Sequence, residues 1–205
     1  WINDSVSDYS TGGYGYLTVA HEIGHSLGLK HPHDTINPNS SDWTSPAMSS
    51  TYDHLGYTVM AYRDYPGDNW GSDPDTHSAK DADGNDFYNY TYMTFDIWTL
   101  RYLYSSDGSS YQTPNVTDDE SYGIGGTSDN TYTISGTNAT GSFTIFDTGG
   151  TDTLDFSNLS LGSTINLVGG ATGTLSYIGS TVIKYDGGEE YSGLIIGIYY
   201  ENSIE

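Results

Sequence analysis

Five residues within one short stretch carry metal chemistry: His21, Glu22, His25, Gly28 and His31. His21 and His25 are four apart, so on a helix both imidazoles leave one face and can share a single Zn²⁺. Glu22, one residue on, points partly toward the same cavity. It can take a proton from a zinc-bound water without being a ligand. Gly28 allows a sharp turn at the helix end, and His31 can then return as the third ligand. Three protein ligands leave a position open for water, the mark of a catalytic rather than a structural zinc site. The metal draws the pKa of that water toward ~7 and polarises a substrate carbonyl. The full pattern H-E-x-x-H-x-x-G-x-x-H arises by chance in a chain of this length with odds on the order of one in ten thousand.

The elements that must position these residues are legible from spacing. Leu17, Ala20, Ile23, Gly24 and Leu27 form a helical stripe beginning near Tyr16, and Gly28 sits where a helix stop is expected. From Pro32 to Asp53 the chain is polar and reads as a long loop. Tyr57-Thr58-Val59-Met60-Ala61-Tyr62 reads as a half-buried strand or turn with Met60 in the core. A second helix is expected from Tyr92 to Tyr104, with Met93, Ile97, Leu100 and Tyr104 on one face. Ser105 to Glu120 reads as a linker. Beyond it, short alternating runs at 132–134, 142–146, 153–156, 164–167 and 181–185 lie between Gly, Asn and Asp turns, which predicts a β-rich module. No clean repeat is visible, although Gly149 to Asp155 looks like one Gly/Asp-rich Ca²⁺ turn. The fold class is therefore α+β, with an organisation of 1–110 and 111–205.

Charge narrows the partners. The 205 residues include 27 acidic and 5 basic side chains, a net charge of −22, so nucleic acid and anionic lipid surfaces are excluded. Some carboxylates are candidates for Ca²⁺, and the rest for solvated surface. With no cysteine, disulfides and thiolate metal sites are ruled out and bound metal is the expected staple. No apolar run approaches the ~20 residues of a membrane span, and Trp1 does not open a signal peptide. Asp81 to Asp86 fails as an EF-hand, because Asp86 and Tyr92 stand where Gly and Glu are required. An irregular Ca²⁺ loop or a solvated turn remains there. His33 reads as a supporting or surface residue, and His54 and His77 as exposed. The glycosylation-type patterns at Asn115 and Asn138 read as plain turns.

The run His-Glu-Ile-Gly-His-Ser-Leu-Gly-Leu-Lys-His-Pro, ending at Pro32, resembles the serralysins, secreted bacterial zinc endopeptidases of the metzincin group. Matrix metalloproteinases, astacins and reprolysins share the histidines but usually carry another residue after the third. Met93 to Tyr104 is similar to the serralysin helix that follows the Met-turn. Phe146 to Ser157 resembles the entry to the family's Ca²⁺-binding β domain, the start of a β-roll or sandwich. The resemblance implies that Met60 is the apolar floor of a Met-turn. It implies that Tyr62 is a zinc ligand at rest, able to swing away and stabilise the tetrahedral intermediate. It also implies one Ca²⁺ held by the carboxylates of Asp147 and Asp152, the carbonyl of Gly149, and carbonyls from Val116 to Glu120, including Asp118. Protein or peptide substrates and an extracellular location follow from the same likeness.

Two departures stand out. The family's Tyr-Asn pair after the proline is replaced by His33-Asp34-Thr35-Ile36-Asn37. Only 20 residues precede His21, too few for the sheet and helix that open a metzincin domain, so that part is expected either on a separate N-terminal chain or as a piece missing from this sequence. Two rival readings are a catalytically silent, calcium-stabilised binding module derived from such a peptidase and a purely structural Ca²⁺-stapled surface protein.

Overall fold

The computed structural model describes residues 8–34, 47–49, 52–63, 88–104, 117–133 and 143–157 with their side chains, and the backbone of 176–179, 182–184, 190–192 and 195–198. The expectations placed on Trp1 to Asn3, His77, the 81–86 loop, Asn115, Val116, Asn138 and the strand at 164–167 lie outside those residues.

Helix α1 spans Tyr14–Ser26. It ends in a Schellman turn: Gly28 takes φ +96°, its N–H donates to the His25 carbonyl, and the Leu29 N–H reaches back to the Gly24 carbonyl at 2.9 Å. That turn drops Leu29 into the core. The buried face of α1 differs from the expected stripe. Leu17, His21 and Gly24 are buried, whereas Ile23 is 47% exposed. The reason is the partner: α1 rests on the 58–61 turn, which meets the helix at His21 and Gly24.

Helix α2 spans Thr94–Tyr104, starting two residues later than the spacing suggests. Asp96 in its first turn accepts the Met93 N–H at 2.9 Å, which is half of a capping box and fixes Met93 outside the helix. Tyr104 is exposed rather than packed, although its hydroxyl donates to the Leu27 carbonyl at 3.0 Å. One core joins these elements: Leu17, Leu29, Leu55, Val59, Met60, Ala61 and Met93, flanked by Tyr88, Tyr92 and Leu100.

The second half opens with a 3₁₀ turn at Glu120–Tyr122, then β1 (Ile124–Gly125), β2 (Thr131–Thr133), β3 (Phe143–Asp147) and β4 (Thr153–Asp155). β5 (Ser176–Gly179), β6 (Val182–Lys184), β7 (Glu190–Ser192) and β8 (Ile195–Ile198) follow. One sheet runs β1-β3-β8-β5, parallel except for the β5/β8 pair, and β2/β4 and β6/β7 form separate ladders. Ile124 pairs in parallel with Phe146, and Thr131 with Thr153, so both ladders share an offset of 22 residues. A constant offset over two successive parallel strands describes coils stacked on one another. The sequence hides this repeat because Ile124-Gly125 and Phe146-Asp147 correspond in register and not in residue type.

The halves meet through aromatic packing. Tyr90 stacks on Phe143 at 5.3 Å and lies edge-on to Tyr122 at 5.8 Å. The Thr144 N–H donates to the Thr91 hydroxyl at 2.9 Å. Burial raises the Tyr90 phenol well above its ordinary range.

Candidate metal centre

The three histidines of the motif converge. His31 Nε2 lies 3.1 Å from Nε2 of both His21 and His25. Each ring is aimed by its other nitrogen. His21 Nδ1–H donates to the Val59 carbonyl at 2.9 Å, and His25 Nδ1–H to the Leu29 carbonyl at 3.0 Å. His31 Nδ1–H faces the Asp34 carboxylate at 3.1 Å. Carbonyls and carboxylates only accept, so the hydrogens sit on Nδ1 and the Nε2 lone pairs point at one another. Lone pairs at that spacing repel unless a cation lies among them. A tetrahedral ion with bonds of about 2.0–2.1 Å to nitrogen spaces its ligands about 3.3 Å apart, close to the spacing seen. Three neutral imidazoles suit Zn²⁺. Burial holds His31 below the usual imidazole value against the pull of Asp34, which favours the neutral, ligating form.

Local sequence explains this aim. The Schellman turn at Gly28 is what brings the Leu29 carbonyl under His25. Met60 is buried, with its sulfur pressed on α1: a Cβ at Gly24 would meet Met60 Sδ at 2.6 Å. A residue larger than glycine at position 24 would press on Met60 and push the turn, and with it Val59, away from His21. The turn is tied from behind by Asp96, a residue the chemistry of the motif did not single out. Asp96 accepts from the Thr58 hydroxyl at 2.6 Å and from the Val59 and Met93 N–H groups at 2.8 and 2.9 Å. Burial pushes its carboxyl up to about 6, opposed by these three hydrogen bonds.

Tyr62 places its hydroxyl 2.9 Å from His31 Nε2, at the same focus, with its ring stacked on His21 at 5.7 Å. Burial and the nearby Asp34 and Glu22 charges raise its phenol above the ordinary value. Glu22 is exposed and lines, with His21, Tyr62, Leu17, Val59 and Tyr88, a cavity of about 380 Å³. His33 stacks on His31 at 5.1 Å and lies 4.9 Å from Tyr62. The structure therefore brings His33 to the edge of the centre, and its proximity in sequence to His31 was the only available signal. His54, expected to be exposed, is buried. The Gly56 N–H donates to its Nδ1 at 3.0 Å, and Tyr57 packs on its ring at 4.9 Å.

In the β-rich half, Asp147 and Asp152 are both buried. Asp147 accepts hydrogen bonds from the Tyr132 hydroxyl and the Gly149 N–H, and Asp152 from the Asn130 N–H at 3.0 Å. Burial raises the Asp152 carboxyl, and the Asp147 charge adds to it. The side chains of Asp118 and Glu120 are engaged with the Gly126 N–H and the Asn130 amide. Asn130 Oδ1 is buried without a hydrogen-bond partner, leaving one uncommitted oxygen beside these carboxylates. Among the described residues, only histidine-containing groups, His21/His25/His31 and His31/His33/Asp34, bring three candidate ligand atoms within 4.8 Å of one another. No described helix is long and apolar enough to cross a membrane.

A family model described as metallo-peptidase family M12 matches residues 2–70, and one described as peptidase M10 serralysin C terminal matches residues 112–193. The chain is 33% identical to a serralysin of Photorhabdus luminescens over 98% of its own length and 40% of that protein's. It is 32% identical to metalloprotease AprA of Pseudomonas entomophila, covering 91% of this chain and 37% of the relative. It is 31% identical to serralysin C of Dickeya chrysanthemi, covering 90% and 37%. The matches give no support to a separate N-terminal chain. Spanning about 40% of the length of the curated relatives it matches, the chain belongs with the serralysin-like metallopeptidases.

Proposed function

We infer that this chain carries the catalytic centre of a secreted zinc endopeptidase acting on proteins or peptides. The observation that supports it most is the convergence of three Nε2 atoms, each held by a partner on its Nδ1. His21, His25 and His31 would hold the zinc, with Tyr62 as a further ligand at rest. When bound, the ion supplies Lewis acidity to a substrate carbonyl and acidifies a water.

The chain's own residues do the rest. Glu22, on the cavity wall beside His21, accepts the proton of the attacking water and delivers it to the leaving amine. Tyr62 is 43% exposed, so its ring can leave the histidines and donate its hydroxyl to the oxyanion of the tetrahedral intermediate. Met60 acts as the Met-turn floor that keeps the helix and the turn in register. In the β-rich half, Asp147, Asp152 and the Gly149 carbonyl, with the backbone carbonyls of Asp118 and Glu120, would hold a structural Ca²⁺. The organisation is a catalytic part over 1–110 and a calcium-binding module over 111–205.

Metal analysis joined to a quenched-peptide cleavage assay tests the reading. The expected result is stoichiometric zinc and cleavage that a chelator abolishes and added zinc restores. Cleavage that persists after complete removal of metal would overturn it.

A further inference from the structure

The hydrogen bonds behind His21 form one continuous chain. His21 Nδ1–H donates to the Val59 carbonyl at 2.9 Å. That carbonyl belongs to the same peptide unit as the Met60 N–H, which donates to Thr58 Oγ1 at 3.0 Å. The Thr58 hydroxyl in turn donates to Asp96 Oδ1 at 2.6 Å. Every donor points the same way, from the imidazole toward the carboxylate, and the peptide unit in the middle passes polarisation from its N–H to its C=O. Bonds aligned in this way strengthen one another, more so in a buried setting, and Val59, Met60, Thr58 and Asp96 are all buried. The other carboxylate oxygen of Asp96 accepts the Val59 and Met93 N–H groups, which locks its orientation.

A metal-binding histidine commonly donates its free N–H directly to a carboxylate, which fixes the ring and raises its basicity. His31 does so through Asp34. His21 has only a carbonyl beside it. We propose that Asp96 is the carboxylate partner of His21 at a distance, a positioning residue that acts on the metal ligand through Thr58 and the Val59–Met60 peptide. The inference rests on the zinc reading above and adds to it a residue on α2, outside the motif and in contact with none of the ligands. It also gives Thr58 a reason to be a hydroxyl: between the peptide unit and Asp96, its side chain must both accept and donate.

The test is zinc affinity, measured on the folded full chain by competition with a chromogenic chelator at a temperature well below unfolding. Asp96→Asn keeps the shape but turns an amide donor toward Thr58, reversing the last bond. Thr58→Val keeps the volume and removes the relay group. Each is expected to weaken zinc binding by about 10–100-fold. Because both cut the same chain, the double variant should be no weaker than the more affected single variant. Thr58→Ser restores the hydroxyl and should return affinity to within about twofold of the unsubstituted chain. If Asp96→Asn fails to fold, the Thr58→Val and Thr58→Ser pair decides alone. Variants that lower the melting temperature yet hold zinc as tightly as the parent would overturn the relay and leave the zinc reading standing. A parent chain that binds no zinc at all would instead overturn the zinc reading, and the relay with it.

Discussion

The histidine centre and the acidic cluster are both candidate metal sites, but the fold treats them in opposite ways. At the histidine centre the ligand atoms already converge; the protein's own groups hold the outward nitrogens, and the Tyr62 hydroxyl meets His31 Nε2 at the focus. In the β-rich half the protein's donors occupy the carboxylates themselves: Tyr132 and Gly149 on Asp147, Asn130 on Asp152, Gly126 on Asp118. The contrast follows from charge. The lone pairs of neutral imidazoles repel less than full charges do, so contacts on the outward nitrogens can hold the rings converged around the place of a cation. Ionised carboxylates repel over several ångströms in a poorly screened setting and seek protons or N–H groups instead. The first site is preformed by the fold, and the second would be completed by its cation.

The largest expected effect separates chemistry from metal binding at the preformed site. Glu22→Ala should lower turnover by about 10²- to 10⁴-fold, the range for a lost general base, with zinc content unchanged. Peptide-cleavage kinetics with metal analysis on the same sample checks it. Near-full turnover would remove Glu22 from the mechanism. Tyr62→Phe should cost about 10²-fold in kcat with little change in KM, since the phenol acts on the oxyanion and not on the resting substrate. A rise in KM alone would assign Tyr62 to substrate binding.

The acidic cluster should respond in the opposite sense. Calcium at a hundred times its dissociation constant should stabilise the chain by about 2.7 kcal/mol, and Asp147→Asn should erase most of that gain without altering zinc content. Thermal unfolding with and without calcium measures both. A calcium-dependent shift that survives Asp147→Asn would place the ion elsewhere.

What the sequence made visible depended on how local the cause was. The zinc pattern and its Gly28 stop are written within one helix and its exit, so the residues and their spacing could be read directly. The buried face of α1 was legible only in part: Leu17 and Gly24 of the expected stripe are buried, but a turn about 35 residues further on draws in His21 and leaves Ile23 in solvent. Asp96 looked like one acid in an amphipathic helix. Two of its three acceptor bonds reach Thr58 and Val59 across the core, a relation no periodicity encodes. His54 is a similar case, a polar ring buried by neighbours that the chain supplies through its turn. The 22-residue offset escaped notice because parallel register constrains backbone spacing, while side chains at all matching positions but Thr131 and Thr153 change type.

The smallest expected effect tests whether the preformed site owes its shape to packing. Gly24 lies in mid-helix, where alanine is ordinarily favoured by about 1 kcal/mol. Here an added Cβ would meet Met60 Sδ at 2.6 Å, so Met60, buried at 1% exposure, must shift to admit it. Overpacking of this kind costs about 1–3 kcal/mol, so the penalty exceeds the helical gain. Gly24→Ala should therefore destabilise the chain by about 1 kcal/mol net, read as a lowered melting temperature. The displaced turn carries the Val59 carbonyl, so zinc affinity should fall with it. Combining Gly24→Ala with Met60→Ala clears the clash and should recover some of the lost affinity, even though the core then loses apolar contact. If Gly24→Ala were neutral or stabilising, Met60 would not be the wedge that sets the distance between the turn and α1.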